Sequence, residues 1–338
     1  MRFVLFALLF AAETIAFFVA YSRLQHTTRI TSLSKLSLQP ANESDLLRET
    51  LGLAKNMEHR LSHSPVVPAV VGHRGSVHEY LENTREGFLR CAELGCSVEL
   101  DVFELKDGNL VVFHGGGTDE KHGDLLDYCE VQGSILDYTL QETQNLRFNT
   151  KFAEFPCPPD RIRAGRIPTL AQVLRDLKDF PCTRIKIELK AGSPTLVSAV
   201  VELVEQLQMQ DQCEYSSFDM HRLEQLCELR SSNVKSGALF AHPIPSDYLR
   251  IATKYCCTEI HLPYDACSVT RIREIHSAGF GSMAWFRGPM GMMEDLINKW
   301  KYKNEEECYA ALIETGVQQI CCNKPHILLD TLELSRKC

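Results

Sequence analysis

Along residues 97–103 the chain reads Ser97-Val98-Glu99-Leu100-Asp101-Val102-Phe103, with apolar and acidic positions alternating. Successive side chains of a strand point to opposite faces, so Glu99 and Asp101 share one side while Val98, Leu100 and Val102 share the other. Residues 185–190 repeat the arrangement, with Ile185, Ile187 and Leu189 set against Lys186, Glu188 and Lys190. A half-exposed strand with one solvated face has the same alternation. In a parallel barrel, by contrast, the inward layers are normally Val, Ile and Leu, and the side chains at the C-terminal strand ends do the chemistry. Three carboxylates converging there suit a hard divalent cation, which takes oxygen ligands.

From residue 66 onward short apolar runs alternate with helical patterns. A strand is expected over 66–72, then a helix over 83–94 with Asn83 as N-cap, Glu86 as its capping-box partner and Gly95 as its stop. The carboxylate strand follows, then the turn Lys106-Asp107-Gly108-Asn109, then 110–114, ending in His114 and counted as an extension of the second strand. Residues 115–166 break the rhythm with Gly115-Gly116-Gly117 and Pro156, Pro158 and Pro159, and read as an insertion at the end of the sheet that carries His114. A structureless loop of that length is unusual unless it is functional or disordered. After Pro168 a helix is expected to 180, then strands over 183–190, 214–218, 237–241, 258–262, 281–286 and 317–322. Between them lie helices over 194–210, 220–229, 246–254 and 268–278 and helical segments reaching 315. Eight strand-helix units predict an α/β fold with a parallel sheet closed into a barrel.

Composition narrows the setting. The 338 residues are 44% hydrophobic and 24% charged, ordinary for a globular chain. The net charge of -8 argues against a nucleic-acid partner, which needs a basic footprint. Arg2 precedes an apolar run from Phe3 to Ala20, interrupted by Glu13, with Ala20-Tyr21-Ser22 resembling a cleavage site. Residues 1–22 are therefore a signal peptide or an uncleaved membrane anchor, which places the protein at a membrane or in the secretory or extracellular space. Residues 23–65 are polar and read as a linker or stalk; Asn42-Glu43-Ser44 within it is a glycosylation acceptor if it reaches the secretory lumen. Residues 66–338 hold the barrel. Of the fourteen cysteines, Cys256, Cys257, Cys321 and Cys322 lie in apolar strand-like runs and read as core residues.

Gly72-His73-Arg74-Gly75 follows the first strand, which puts His73 and Arg74 at the C-terminal rim, and His114 should join them. Either histidine alone could be a structural residue; two at one rim can work as an acid-base pair near neutral pH. The combination is more specific. His73-Arg74-Gly75, Glu82-Asn83-Thr84, Glu99-Leu100-Asp101-Val102, Lys106-Asp107-Gly108, Val111-Val112-Phe113-His114, Ile167-Pro168-Thr169-Leu170 and Ile187-Glu188-Leu189-Lys190 occur in this order. With Ser216-Ser217-Phe218-Asp219, Trp285 and Gly316-Val317 through Pro325, they resemble the glycerophosphodiester phosphodiesterase family.

That resemblance implies a TIM (β/α)8 barrel with a small insertion after the second strand. It implies that Glu99, Asp101 and Glu188 hold one divalent cation, Ca2+ or Mg2+, and that His73 and His114 are the general acid and base. It places Arg74 and Lys190 on the phosphate and Phe218 and Trp285 on the glycerol side. The implied reaction is metal-dependent hydrolysis of a glycerophosphodiester, a small-molecule substrate, to glycerol phosphate and an alcohol. Lysophospholipase D action on a lysophospholipid, or a noncatalytic membrane-tethered role, are the alternatives. Two positions depart from the family: Gly115 follows His114 where Asp is usual, and Cys322-Asn323-Lys324-Pro325 replaces Thr-Asp-x-Pro. Neither removes a proposed ligand or histidine, so the expectation is an active enzyme with altered substrate preference, in which the second histidine finds its hydrogen-bonding partner elsewhere.

Overall fold

Eight parallel strands carry the chain around a closed ring: β1 (Ala69–Gly72), β2 (Ser97–Glu104), β4 (Ile185–Leu189), β5 (Cys213–Ser217), β6 (Ser236–Leu239), β7 (Glu259–Pro263), β8 (Gly281–Trp285) and β9 (Gln319–Cys322). Each pairs with the next, and β1 pairs with both β2 and β9, which closes the barrel. Helices Arg85–Glu93, Leu170–Leu177, Leu196–Gln206, Met220–Leu229, Tyr248–Lys254, Val269–Ser277, Glu305–Glu314 and Pro325–Lys337 alternate with the strands. The architecture is the expected TIM barrel. This computed structural model describes residues 67–115, 123–148, 166–190, 192–229, 234–286 and 305–337. The leader or anchor over 1–22, the stalk over 23–65 with Asn42, and parts of the insertion lie outside the described residues. Among the described residues no helix is long and apolar enough to cross a membrane.

The alternation in β2 and β4 has the meaning that a barrel gives it. Val98, Leu100, Val102, Ile185, Ile187 and Leu189 are buried in the main apolar core with Phe88, Leu170, Leu174 and Val200 of the surrounding helices. Each such side chain contributes about 1.5–3 kcal/mol on burial. Their alternates point inward, and there the interior departs from the usual layers of Val, Ile and Leu. Lys186 is ion-paired with Glu214 and, at 2.7 Å, with Glu259; Glu259 also accepts from His261 at 2.8 Å and from Gln319 at 2.7 Å. Glu99, Asp101 and Glu188 follow on the same inward faces of β2 and β4, toward the C-terminal rim.

Residues 110–114 do not extend β2. After the turn at Gly108 the chain reverses and β3 (Leu110–Val112) runs antiparallel to β2, pairing Val102 with Val112 and Glu104 with Leu110. The reversal brings Phe113 back to the rim, where its N–H donates to the Asp101 carbonyl at 3.0 Å, and so delivers His114. The expected rim position is right, but the strand comes down to it from above.

The insertion packs on the part of β2 that stands above the rim. Its described part forms the short helices Leu126–Cys129 and Leu140–Thr143 with a helical turn at Ile135–Asp137. Leu125, Tyr128, Cys129 and Ile135 bury against Phe103, Leu105, Val111 and Phe113 in a second, smaller apolar cluster.

Two further expectations are corrected. Asn83 does not cap the first helix: Thr84 is the N-cap of Arg85–Glu93, no side chain bonds there, and Asn83 has a φ of +55°. Asn tolerates this left-handed conformation because its short amide can bond locally, and here the amide is drawn into the site. Cys256 is not a core residue of a strand. It has a φ of +55° in the turn after helix Tyr248–Lys254 and forms a disulfide with Cys227, whereas Cys257, Cys321 and Cys322 are buried as expected.

Candidate active site

The β2–β4 pairing sets Asp101 beside Glu188 in register, with Glu99 one inward step below. Oxygens of Glu99, Asp101 and Glu188 lie within 4.8 Å of one another, and all three residues are buried. Lys190 reaches Asp101 Oδ1 at 2.8 Å and also contacts Glu188 Oε1. Asn83 Nδ2 donates to Asp101 Oδ2 at 2.8 Å, and the Asp101 N–H donates back to Asn83 Oδ1 at 3.3 Å.

Arg74 stands at a φ of +55° just past β1. That turn aims its backbone N–H at Glu99 Oε2, 3.1 Å away. Its guanidinium places one terminal nitrogen 3.1 and 3.0 Å from the two oxygens of Glu82, and its Nε lies 3.4 Å from Asp101 Oδ2. Tyr128 of the insertion lies near enough to Glu82 and Arg74 to feel their charges.

Each histidine is held through Nδ1. His73 Nδ1 lies 3.0 Å from Asn323 Oδ1, and His114 Nδ1 lies 2.7 Å from the Gly115 carbonyl oxygen. Both partners accept through oxygen, so the bonds place the proton on Nδ1 and leave Nε2 as the nitrogen that can exchange one with a substrate. Nε2 of His73 lies 4.0 Å from Glu99. His114 is near enough to Asp101, Arg74 and Lys190 to feel their charges. The two departures from the family pattern thus have structural counterparts. Asn323 is the partner of His73, and the partner of His114 is a backbone carbonyl. Gly115 itself has a φ of +75°, and a Cβ there would meet the Asp124 carbonyl oxygen at 2.7 Å, so a side chain has no room.

Burial is the largest influence on the charges here. It pushes Glu99 well above the usual carboxylate range, aided by Asp101 and Glu188, and it raises Glu188. On Asp101 burial acts the same way, but the Lys190 and Arg74 cations outweigh it and hold the carboxyl low. Burial, then the Arg74 cation, lowers His73 to about 3, with Asn323 and Asp101 pulling weakly the other way. His114 is lowered for the same two leading reasons. Both imidazoles are therefore neutral.

The donor set fits a divalent cation. Four carboxylates, Glu82, Glu99, Asp101 and Glu188, face two side-chain cations, Arg74 and Lys190, so that with all four ionised two negative charges are left for a further cation to balance. Glu99 Oε1 is buried with no hydrogen-bond partner, a costly arrangement unless a cation meets it. Oxygen donors of this kind select Ca2+ or Mg2+ over softer metals.

Phe218 follows the end of β5 and Trp285 is the last residue of β8, and the two rings meet edge to face with centroids 5.6 Å apart. Trp285 packs on Val71, Met283 and Cys321 inside the barrel, while Phe218 stays 39% exposed. The structure therefore brings Glu99, Asp101, Glu188, Lys190, Arg74, His73 and His114 to one rim and pairs Phe218 with Trp285 there. It adds the second layer of Glu82, Asn83, Asn323 and Tyr128. Glu82 entered the sequence reading only as part of a motif, Asn83 there and as a helix cap, and Tyr128 went unnoticed in the insertion.

The carboxylate cluster and the two imidazoles thus stand together at the C-terminal rim of a TIM barrel. Residues 73–325 match the glycerophosphoryl diester phosphodiesterase family, and the chain belongs to it. A glycerophosphodiester phosphodiesterase of Caldanaerobacter subterraneus is 30% identical over 177 residues, 51% of this chain and 66% of its own length. A human lysophospholipase D is 30% identical over 142 residues, 40% of either chain. The matches span less than two thirds of each of these relatives. Among solved structures, a candidate glycerophosphodiester phosphodiesterase from Galdieria sulphuraria superposes with a TM-score of 0.66 at 25% identity, covering 80% of this chain and 99% of its own.

Proposed function

We propose that the protein hydrolyses glycerophosphodiesters to glycerol phosphate and an alcohol, with a divalent cation on Glu99, Asp101 and Glu188 and with His73 and His114 as acid and base. The observation that carries this reading is the coincidence of an electron-rich oxygen cluster with two neutral imidazoles, each held through Nδ1. A bound cation supplies positive charge to the phosphoryl oxygens. Arg74 and Lys190 lie against the same cluster and add donors for the anion as its charge develops. Seating a phosphodiester anion against these two cations offsets the charges that depress both histidines, so substrate itself readies one imidazole to carry a proton.

One imidazole then takes the proton of the neighbouring glycerol hydroxyl at its Nε2 as that oxygen attacks phosphorus, and the other gives a proton to the departing alcohol oxygen. Each transfer is worth roughly 10²- to 10⁴-fold in rate. The cyclic phosphate so formed is opened by water with the two histidines exchanging roles. Phe218 and Trp285 line the glycerol side. The human relative's name and the apolar run over 3–20 support a second substrate arm, a lysophospholipid, and supply to a membrane or the secretory route.

The full chain in detergent, incubated with glycerophosphocholine, glycerophosphoethanolamine or lysophosphatidylcholine and with Mg2+ or Ca2+, should release alcohol from at least one of them. His73→Ala and His114→Ala should each abolish that release while leaving cation binding largely intact. A chain that cleaves none, or a histidine variant that retains the parent rate, would refute the reading.

A further inference from the structure

Another imidazole at the rim, His242, takes no part in the proposed acid-base pair. It lies three residues past the end of β6, and Asp265 lies two residues past the end of β7, so both follow C-terminal strand ends. His242 Nε2 is 2.7 Å from Asp265 Oδ1. An ionised carboxylate only accepts, so the bond places the proton on Nε2 and leaves Nδ1 as the nitrogen that can meet a ligand. The Asp265 side chain is 9% exposed and that of His242 49%, so the acid is held in the wall and the ring stands out from it. Such a bond gives a surface ring one orientation, which is what a recognition group needs. Strand order places the pair. β6 and β7 lie between β5 and β8 in the ring. Phe218 and Trp285, at the ends of β5 and β8, touch with centroids 5.6 Å apart, so their contact spans the ends of the two strands between them. The loops that carry His242 and Asp265 therefore flank the aromatic pair. Glu99, Asp101 and Glu188 stand on β2 and β4, outside that arc.

We propose that His242, oriented by Asp265, binds the terminal hydroxyl of the substrate's glycerol unit and so selects free glycerophosphodiesters over lysophospholipids. The inference rests on the reading of Phe218 and Trp285 as the glycerol side. A diester whose phosphate sits at β2 and β4 and whose glycerol lies on these rings directs its third carbon toward β6 and β7. The hydroxyl next to the phosphate attacks phosphorus; the terminal one takes no part in that step and is free for recognition. Nδ1 of the neutral ring accepts its O–H. In a lysophospholipid acylated at that carbon the oxygen belongs to an ester and has no hydrogen to give, so Nδ1 loses its water with no bond in exchange. A site built to bond a hydroxyl discriminates against a substrate that lacks it.

The test uses the full chain as parent, His242→Phe, which keeps a planar ring without the acceptor, and Asp265→Leu, which releases the ring. Three substrates share the headgroup that the parent cleaves fastest: the glycerophosphodiester, its analogue with the terminal hydroxyl replaced by hydrogen, and the lysophospholipid acylated there. The parent should favour the first over the second by about tenfold in kcat/KM, the worth of one hydrogen bond. His242→Phe should lose about that factor on the first substrate and nothing on the other two. Asp265→Leu should lower the same preference, a ratio that a merely structural role would not move. No preference in the parent, equal losses on all three substrates, or a parent that turns over the lysophospholipid faster than the glycerophosphodiester would overturn the proposal. Calorimetry with Mg2+ and with glycerol phosphate, or the same phosphate without its terminal hydroxyl, separates this from the proposed reaction. A parent that cleaves nothing yet binds glycerol phosphate about tenfold more tightly, a difference lost in His242→Phe, removes the reaction and keeps His242. Equal affinities, or no binding of either, remove His242's role whatever is cleaved.

Discussion

Asn323 stands where the family usually has aspartate, and changing it separates what its geometry does from what a charge would do. Its Oδ1 accepts the Nδ1 proton of His73 at 3.0 Å, and the residue is wholly buried. Asn323→Leu keeps the volume and removes the acceptor. The His73 N–H is then left buried with a bond unmade, a cost of about 1–3 kcal/mol. If that cost falls only on the transition state it corresponds to roughly a 5- to 150-fold lower kcat. Asn323→Asp keeps the acceptor and adds a charge. Burial and then Arg74 hold His73 at about 3, so the imidazole is neutral, the form a base needs, across the ordinary pH range. A carboxylate within hydrogen-bonding reach stabilises the protonated ring and raises its pKa by about 1–3 units. The sign follows: a base with a raised pKa loses its neutral form at higher pH, so the acid limb of kcat/KM should move upward by that amount. Steady-state kinetics on the parent and both variants, carried down to about pH 2.5 so that a limb near the His73 value of about 3 is seen, tests this. An acid limb that stays put in Asn323→Asp, with Asn323→Leu turning over at the parent rate, would show that His73 is not oriented by this bond.

Chelation should remove activity, and readdition of Mg2+ or Ca2+ should restore it. Because burial, Asp101 and Glu188 push Glu99 well above the usual carboxylate range, cation binding must expel its proton, so affinity should rise with pH. Calorimetry in two buffers of different ionisation heat would reveal the released proton; a heat independent of buffer would remove Glu99 from the ligand set. Gly115→Ala forces a Cβ to 2.7 Å from the Asp124 carbonyl and strains a φ of +75°, which should cost about 1–3 kcal/mol and displace the acceptor of His114. The expected result is a lower melting temperature together with a lower kcat, and a variant as stable and active as the parent would refute it.

The carboxylate site was legible because period-two alternation fixes which residues share a face, and Glu99, Asp101 and Glu188 needed nothing else to be placed together at one end of a parallel sheet. The partners of those residues were not legible, because each depends on contacts between distant segments. Asn83 sits where a polar residue before a helix normally reads as a cap, and only the nearness of Asp101 redirects its amide. The reversal that forms β3 is signalled by Asp107-Gly108, yet the depth to which it returns His114 depends on pairing with β2 beyond the ring. Tyr128 lay in a stretch without a long period, although Leu125, Tyr128 and Cys129 are spaced as one face of a helical turn and all three are buried. The clearest unused signal is on β2 itself. Two carboxylates followed at the same spacing by Phe103 and Leu105 cannot all face one solvent. A single face that changes from acidic to apolar in consecutive steps must cross from one environment to another, here from a polar barrel interior to a seat for a covering segment. The crossing marks the rim, and a covering segment seated there can place its own polar side chains against the acids just below.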